Sequence, residues 1–177
     1  MRLHGLGLGA SCGAPVLGPG DLYNLAVSVG FDPDTATTMA AVALRESSGC
    51  PTAHNPGPGE DSYGLWQINV LGNPGILSAL GLTDPTQLYD PSTNALAAFT
   101  IYAGNPANLN TAWYINKPGY QEAYQQYLPS VQAAIGQQST LPLTGPLPPT
   151  LASSSPNPSS FLVIGAAALA GVLILSR

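Results

Sequence analysis

Glu46 is the residue whose setting most clearly predicts chemistry. It ends an apolar helical stretch, in the segment 43–49 with the sequence ALRESSG. Partial burial against that apolar face would disfavour the ionised carboxylate and raise its pKa, and the negative end of the helix dipole would do the same. Arg45 could oppose both effects, but consecutive helical residues point about 100° apart. A carboxylic acid with a raised pKa can donate a proton to a leaving oxygen, as cleavage of a glycosidic bond requires.

The helix that must position Glu46 has clear local signals. Asp32 and Pro33 predict its N-cap and its first residue, and Gly49 predicts its end. The predicted apolar stripe consists of Ala36, Met39, Ala40, Ala43 and Leu44. An earlier helix is predicted over residues 21–29.

Beyond this helix the sequence pattern also predicts mainly helices. Residues 51–63 are rich in Pro, Gly and Asn and predict a loop, whereas residues 63–69 predict a short strand or one arm of a hairpin. A further helix is predicted over residues 90–102, and a last one over 119–135, interrupted before Pro129. The expected fold class is therefore mainly α, of the α+β type with a small β-hairpin.

The composition excludes several classes of function. Only 7% of the 177 residues are charged, the net charge is -5, and no basic cluster is present. Nucleic-acid binding by phosphate neutralisation is therefore not expected. The two Cys and two His residues do not have the number or the spacing of a zinc site, and no metal or other cofactor is implied.

The composition divides the chain into four segments. Residues 1–20 are Gly-rich and predicted to be irregular, and residues 21–138 hold the periodic apolar patterns of a globular domain. Residues 139–160 form a Pro/Ser-rich linker that cannot bury a core and should be extended. Residues 161–177 are predicted to be a transmembrane anchor, because 161–175 are all apolar or small.

Three further features concern the ends of the chain. Arg177 is the only charge flanking the predicted anchor, and the positive-inside rule then places the C-terminus in the cytoplasm and the domain outside. Residues 141–145, LPLTG, match a sortase anchoring signal, and a Pro-rich linker could also produce this string by chance. The first ten residues are too short and too rich in Gly for a signal peptide, so we expect no cleavage there.

Two cysteines, Cys12 and Cys50, leave two alternatives open. A disulfide between them would tie the N-terminal segment to the loop after the Glu46 helix and would fit an oxidising compartment. The alternative is a pair of free thiols, since geometry cannot be judged from sequence.

Several motifs together resemble the superfamily of soluble lytic transglycosylases and goose-type lysozymes, most closely its phage virion-associated members. The matching segments are ESSG at 46–49, SYGLWQIN at 62–69, DPSTNA at 90–95, WY at 113–114 and GY at 119–120. The resemblance covers about residues 21–130. It implies a lysozyme-like catalytic domain that acts on peptidoglycan glycan strands.

The resemblance also implies roles for individual residues. Glu46 would be the catalytic general acid and base. The implied substrate-binding residues are Ser47, Tyr63, Trp66, Gln67, Asn69 and Tyr114. Aromatic faces suit the apolar faces of sugar rings, although core packing is an equal alternative for Trp66. The family pairs its tyrosine directly with an asparagine, whereas here Ile115 separates Tyr114 from Asn116.

A second carboxylate would decide the reaction. A lysozyme needs a partner acid, whereas a lytic transglycosylase uses the C6 hydroxyl of the sugar itself. Glu60 and Asp61 precede the GLWQ segment and could be that partner, but both are also ordinary turn residues. We therefore expect a lytic transglycosylase cutting the MurNAc-GlcNAc β-1,4 bond; the alternatives are a lysozyme-type hydrolase and a non-catalytic glycan-binding protein of a virion or cell surface.

A membrane tether would raise the local concentration of the domain at the cell wall, so that weak affinity suffices. This arrangement suits a bacteriophage that opens the wall during entry from a virion membrane, with other virion proteins as partners. It equally suits a bacterial enzyme of wall remodelling.

Overall fold

The computed structural model describes residues 12–140 of the chain. These residues form a mainly helical fold with one small antiparallel sheet, so the expected α+β class is confirmed. The elements are α1 (Pro19–Val29), α2 (Pro33–Ser47), β1 (His54–Gly57), β2 (Glu60–Tyr63), β3 (Ile68–Asn69), α3 (Ile76–Ala79), a 3₁₀ helix (Pro85–Tyr89), α4 (Pro91–Gly104), α5 (Asn108–Ala112), α6 (Gln121–Gln125) and α7 (Leu128–Thr140).

Helix α2 is the central element of the described core. Asp32 caps it as predicted, with its carboxylate accepting hydrogen bonds from the N–H groups of Asp34 and Thr35. Its buried face is wider than the predicted stripe, since Ala41 and Val42 are also fully buried. This follows from its neighbours, because α1, α6 and α7 all pack against it. A helix surrounded in this way holds its C-terminal turn in a fixed place.

The sheet corrects the prediction of a loop over residues 51–63. Strands β1 and β2 pair there as a hairpin, with His54 opposite Tyr63 and Gly57 opposite Glu60, and β3 pairs with the other side of β2. Pro56 is tolerated because β1 is an edge strand, where a missing N–H is not needed by a neighbour. The Pro and Gly content that predicted a loop belongs to this edge strand and its tight turn.

The predicted helices downstream are present with altered bounds. The helix expected over 90–102 is α4 and continues to Gly104. The last predicted helix is divided into α6 and α7, and the break falls before Pro129 as expected, because proline disrupts a helix interior but is accepted in a first turn.

Cys12 and Cys50 are joined by a disulfide, with their Cα atoms 5.7 Å apart. Next to it the N–H group of Leu17 donates a hydrogen bond to the carbonyl of Gly49, at 2.9 Å. The segment before α1 is therefore fastened to the turn that follows α2.

Within residues 12–140 no helix is long and apolar enough to span a membrane. Helix α7 extends to Thr140, so the first two residues of the predicted linker are helical. The remainder of that linker, the predicted anchor at 161–177 and the LPLTG string lie outside the described residues, as do residues 1–11.

Candidate active site

Glu46 lies in the last turn of α2, with its side chain 20% exposed. Its carboxylate forms an ion pair with the guanidinium of Arg45. This differs from the expectation that the two neighbours would diverge. The Cβ directions do diverge, but the arginine side chain is long enough to fold back toward the carboxylate.

The guanidinium of Arg45 is held from two further sides. It lies 5.3 Å from the centre of the Tyr120 ring, and its Nη1 atom is 3.5 Å from the carbonyl oxygen of Trp113. Burial lowers the pKa of Arg45 from its usual range, and the interaction with Tyr120 opposes this shift. An arginine remains charged under such conditions because its ordinary pKa is so high. Arg45 therefore favours the ionised form of Glu46, against the effects of partial burial and the helix end.

Two buried tryptophans pack in the core next to α2. Trp66 is fully buried and donates from Nε1 to the carbonyl of Met39 in α2, at 2.9 Å. Trp113 donates in turn from its own Nε1 to the carbonyl of Trp66, also at 2.9 Å. The prediction that Trp66 lines a cleft is thus corrected, because its ring packs in the core. Its contribution is to connect the segment 64–67 to α2.

A buried asparagine fixes the turn between β2 and β3. Asn94 of α4 donates to the carbonyls of Tyr63 and Leu88 and accepts from the N–H group of Trp66, all at 2.9 Å. Gly64 has a φ of +75°, and a Cβ there would lie 2.2 Å from the Asn94 amide nitrogen. In the sequence, Asn94 stands out only as part of the motif at 90–95. The available signal was a polar residue on the apolar face of a helix.

Gln67 presents an oriented amide group next to this turn. Its φ is +47°, and its Nε2 atom donates to the carbonyls of Ala53 and Gly64 at 3.2 and 2.9 Å. Because these bonds use the nitrogen, the Oε1 atom is left as an acceptor for a ligand. Gln67 therefore remains a candidate for binding a sugar hydroxyl or an acetamido N–H group.

Asn69 and Ser47 have mainly structural contacts. The Oδ1 atom of Asn69 accepts from the backbone N–H groups of Asp61, Leu71 and Gly72, which closes the loop after β3. Ser47 is fully buried and donates to the carbonyl of Ala43 at 3.0 Å. The expected contact of Ser47 with substrate is therefore corrected, because its hydroxyl has no exposed surface.

Asp61 belongs to a small network on the sheet. It accepts from the hydroxyl of Tyr63 at 3.1 Å and lies 2.8 Å from Nε2 of His54, whose ring stacks on that of Tyr63. Burial raises the pKa of Tyr63, and the hydrogen bond to Asp61 raises it further. His54 was missed by sequence analysis, because the strand that pairs it with Tyr63 was read as a loop.

The other candidate acid, Glu60, accepts a hydrogen bond from the hydroxyl of Ser62 at 3.2 Å. In the part of the chain that the structure describes, no three His, Cys, Asp or Glu side chains are grouped so that they could hold a metal ion.

Tyr114 lies in the loop between α5 and α6, with 43% of its surface exposed. Its ring is 5.3 Å from that of Tyr120, and the Nζ atom of Lys117 lies 4.7 Å from the centre of one ring and 5.0 Å from the other. Arg45 also contacts Tyr120, so these three residues are connected through Arg45 to Glu46 on α2.

The model of a family described as a lysozyme-like domain matches residues 23–113, about half of the chain. The chain belongs to this family. Searches of curated proteins and of solved structures gave no significant match. The family generally cleaves glycosidic bonds of peptidoglycan, so peptidoglycan strands are the indicated substrate class of this lysozyme-like domain.

The matched range includes Glu46, Gln67 and Asn94, whereas Lys117 and Tyr120 lie beyond it. A cavity of about 420 Å³ is present in the lysozyme-like domain between residues 72–79 and the C-terminal half of α4. None of the predicted site residues lines it. The residues around Glu46 remain the candidate glycan site, and they are not part of this cavity.

Proposed function

We propose that this chain cleaves the β-1,4 bond between MurNAc and GlcNAc, with Glu46 as the general acid and then the general base. The proposal rests on one observation above all, a partly buried carboxylate in the last turn of the central helix of a lysozyme-like domain. Glu46 would protonate the leaving glycosidic oxygen as the oxocarbenium-like transition state forms.

We favour a lytic transglycosylase over a hydrolase. In that reaction the C6 hydroxyl of MurNAc attacks C1 and Glu46 takes its proton, which gives a 1,6-anhydro product. The contacts of the two other candidate acids support this choice. Asp61 is engaged by His54 and Tyr63, and Glu60 by Ser62, so each acid has a partner within the fold.

The ion pair with Arg45 sets a requirement for this mechanism. A proton donor must be the carboxylic acid, whereas Arg45 favours the carboxylate. Glu46 must therefore exchange its contact with Arg45 for one with the leaving oxygen during the reaction. The partly buried position of Glu46 helps, because exclusion of water by a bound glycan would further disfavour the anion.

The same ion pair favours a second candidate function, a glycan-binding module without catalysis. A carboxylate permanently paired with Arg45 could accept hydrogen bonds from sugar hydroxyl groups without transferring a proton. This module would bind peptidoglycan and release no products.

The proposed location is a membrane, with the domain facing the cell wall on the part of the predicted linker that follows α7 and on the anchor 161–177. The apolar composition of 161–175 and the Pro content of the linker support it.

A role in phage entry is part of the same proposal, with other virion proteins as partners. If purified virions lack the protein, the phage role is abandoned, while the enzymatic proposal stands.

The deciding experiment is mass spectrometry of the products after the full chain digests purified murein sacculi. We expect 1,6-anhydro-muramic ends, and a loss of at least about 100-fold in rate for Glu46→Gln, because general acid catalysis contributes about 10²- to 10⁴-fold. Glu122→Gln makes the same change at a glutamate that contacts the backbone of Gly119, and it should remain active.

Each other outcome has a distinct meaning. Reducing muramic ends would identify a hydrolase and make Asp61 and Glu60 the next residues to substitute. Binding without products would establish the non-catalytic module. Undiminished cleavage by Glu46→Gln would remove Glu46 from the reaction.

A further inference from the structure

The positive charge of the described residues is concentrated at one place. Residues 12–140 contain nine Asp and Glu residues but only two Lys or Arg residues, Arg45 and Lys117. Both cations contact the ring of Tyr120, Arg45 at 5.3 Å and Lys117 at 5.0 Å from its centre. Together with Tyr114 these residues form what we call the cationic aromatic patch. Among the described residues, this patch is therefore the place where an anion is least opposed by the surrounding carboxylates.

Lys117 is the member of the patch whose charge is available to a ligand. Arg45 is ion-paired with Glu46, whereas Lys117 is exposed and has no carboxylate partner among the described residues. Its ammonium group lies against two tyrosine rings, which hold a cation by their negative faces while leaving its outer side open to solvent.

The loop that presents Lys117 is ordered by its own hydrogen bonds. The N–H group of Lys117 donates to the carbonyl of Tyr114, and the carbonyl of Lys117 accepts from the N–H groups of Tyr120 and Gln121, at 2.9 to 3.0 Å. These bonds fix the backbone of Lys117, and the two ring contacts restrict its side chain, so that little conformational freedom is lost when the ammonium group binds an anion.

We infer that the cationic aromatic patch binds a carboxylate on the lactyl-peptide arm of muramic acid, so that the enzyme prefers murein strands whose carboxylates are free. This inference rests on the proposed function. Muramic acid differs from its neighbouring sugar by a lactyl group, whose carboxylate is either free or linked to a stem peptide that itself has carboxylates. The lactyl arm leaves the ring at C3, two atoms from the C1 atom where the bond is cut. Because Arg45 joins the patch to Glu46, an arm bound by Lys117 would place that bond near the acid.

The test compares native murein with murein whose carboxylates have been converted to amides. We expect the full-length wild-type protein to cleave native murein with a kcat/KM about three- to fivefold higher, the range of a partly exposed ion pair. Lys117→Met should cleave native and amidated murein with about equal kcat/KM. Its kcat/KM on the amidated substrate should match that of the wild type. Lys117→Arg, which keeps the charge, should retain the preference.

Co-sedimentation of the same proteins with both substrates provides a readout that needs no turnover. Binding without cleavage by the wild type would end the proposed function, while a charge preference that depends on Lys117 would still support the patch. A preference of the wild type that survives in Lys117→Met, or no preference at all, would overturn the inference. An amidase removes the stem peptides and frees the lactyl carboxylate, so the same comparison on amidase-treated strands, with and without later conversion of their carboxylates to amides, separates the two sources. A preference shown by native murein but not by the treated strands assigns the peptide, and one shown only by the treated strands assigns the lactyl carboxylate.

Discussion

At the scale of single residues, opposing effects act on the carboxyl group of Glu46. Partial burial and the end of α2 favour the neutral acid, whereas the guanidinium of Arg45 favours the anion. The position of Glu46 at a helix end could be predicted because it depends on local sequence. The ion pair with Arg45 could not be predicted, because Tyr120 and Trp113 hold the arginine side chain and both are distant in sequence.

Burial of individual side chains was the least predictable property of the site. Trp66 and Ser47 stand in the motifs next to the partly exposed Gln67 and Glu46, yet both are fully buried. Their burial depends on the carbonyls of Met39 and Ala43, which α2 presents to them. A motif gives the spacing of the residues but does not show which of their side chains are buried.

Gly64→Ala should destabilise the protein severely and reduce cleavage. The new Cβ would lie 2.2 Å from the amide of Asn94 and 2.5 Å from the carbonyl of Leu88, at a φ of +75°. We expect the backbone strain to cost about 1–2 kcal/mol, and the overlap about 2 kcal/mol more. Urea unfolding measures the free energy, and the rate of murein digestion measures the effect on the site.

Gly59→Ala is the matched control. Gly59 has nearly the same φ, +77°, but no described residue other than its two chain neighbours has an atom within 4 Å of the position of a new Cβ. This variant should show the backbone strain alone. Equal destabilisation of the two variants would mean that the contact with Asn94 is not what fixes the turn.

At the scale of elements, local signals predicted the helices well and the sheet poorly. Asp32 and Asp90 begin α2 and α4 as expected, because an N-cap is a contact between near neighbours. The hairpin of β1 and β2 was missed because its tight turn and edge strand are made of Pro and Gly residues. Tyr63 of this hairpin is buried and lies 5.6 Å from the ring of Tyr89, a contact between distant residues that no local rule reveals.

Asp32→Ala should destabilise α2 by about 1 kcal/mol at neutral pH, the usual value of an N-cap. Hydrogen bonds from Thr35, first from its side chain and then from its backbone, lower the pKa of Asp32 below 3.8. The stabilisation is therefore fully present above the unfolded pKa and is lost as the pH falls through the lower folded value. Urea unfolding at pH 7 and at decreasing acidic pH should show the wild type and the variant converging.

Asp34→Ala is the control for this element, since Asp34 lies in the same first turn and contributes its backbone N–H to the cap instead of its carboxylate. Its effect should be smaller. A pH-independent difference between Asp32→Ala and the wild type would contradict the capping role.

At the scale of the whole described domain, the disulfide should be a major source of stability. It links residues 38 positions apart, and closing a loop of that length in the unfolded chain is worth about 4 kcal/mol in the chain-entropy model. Reduction should therefore lower the midpoint of urea unfolding. A Cys12→Ser/Cys50→Ser variant should be equally destabilised and should not respond to the reductant. An unchanged midpoint after reduction would show that the other contacts of the N-terminal segment suffice.

The chain has two tryptophans, and both are buried, with each indole N–H group bonded to a backbone carbonyl. This gives the protein an internal optical probe in its natural sequence. The indole of Trp66 touches the helix that bears Glu46, and the backbone of Trp113 touches the arginine paired with that acid. Intrinsic fluorescence therefore reports on the support of the site itself, and a red shift of its emission would signal loosening there before any substrate is added.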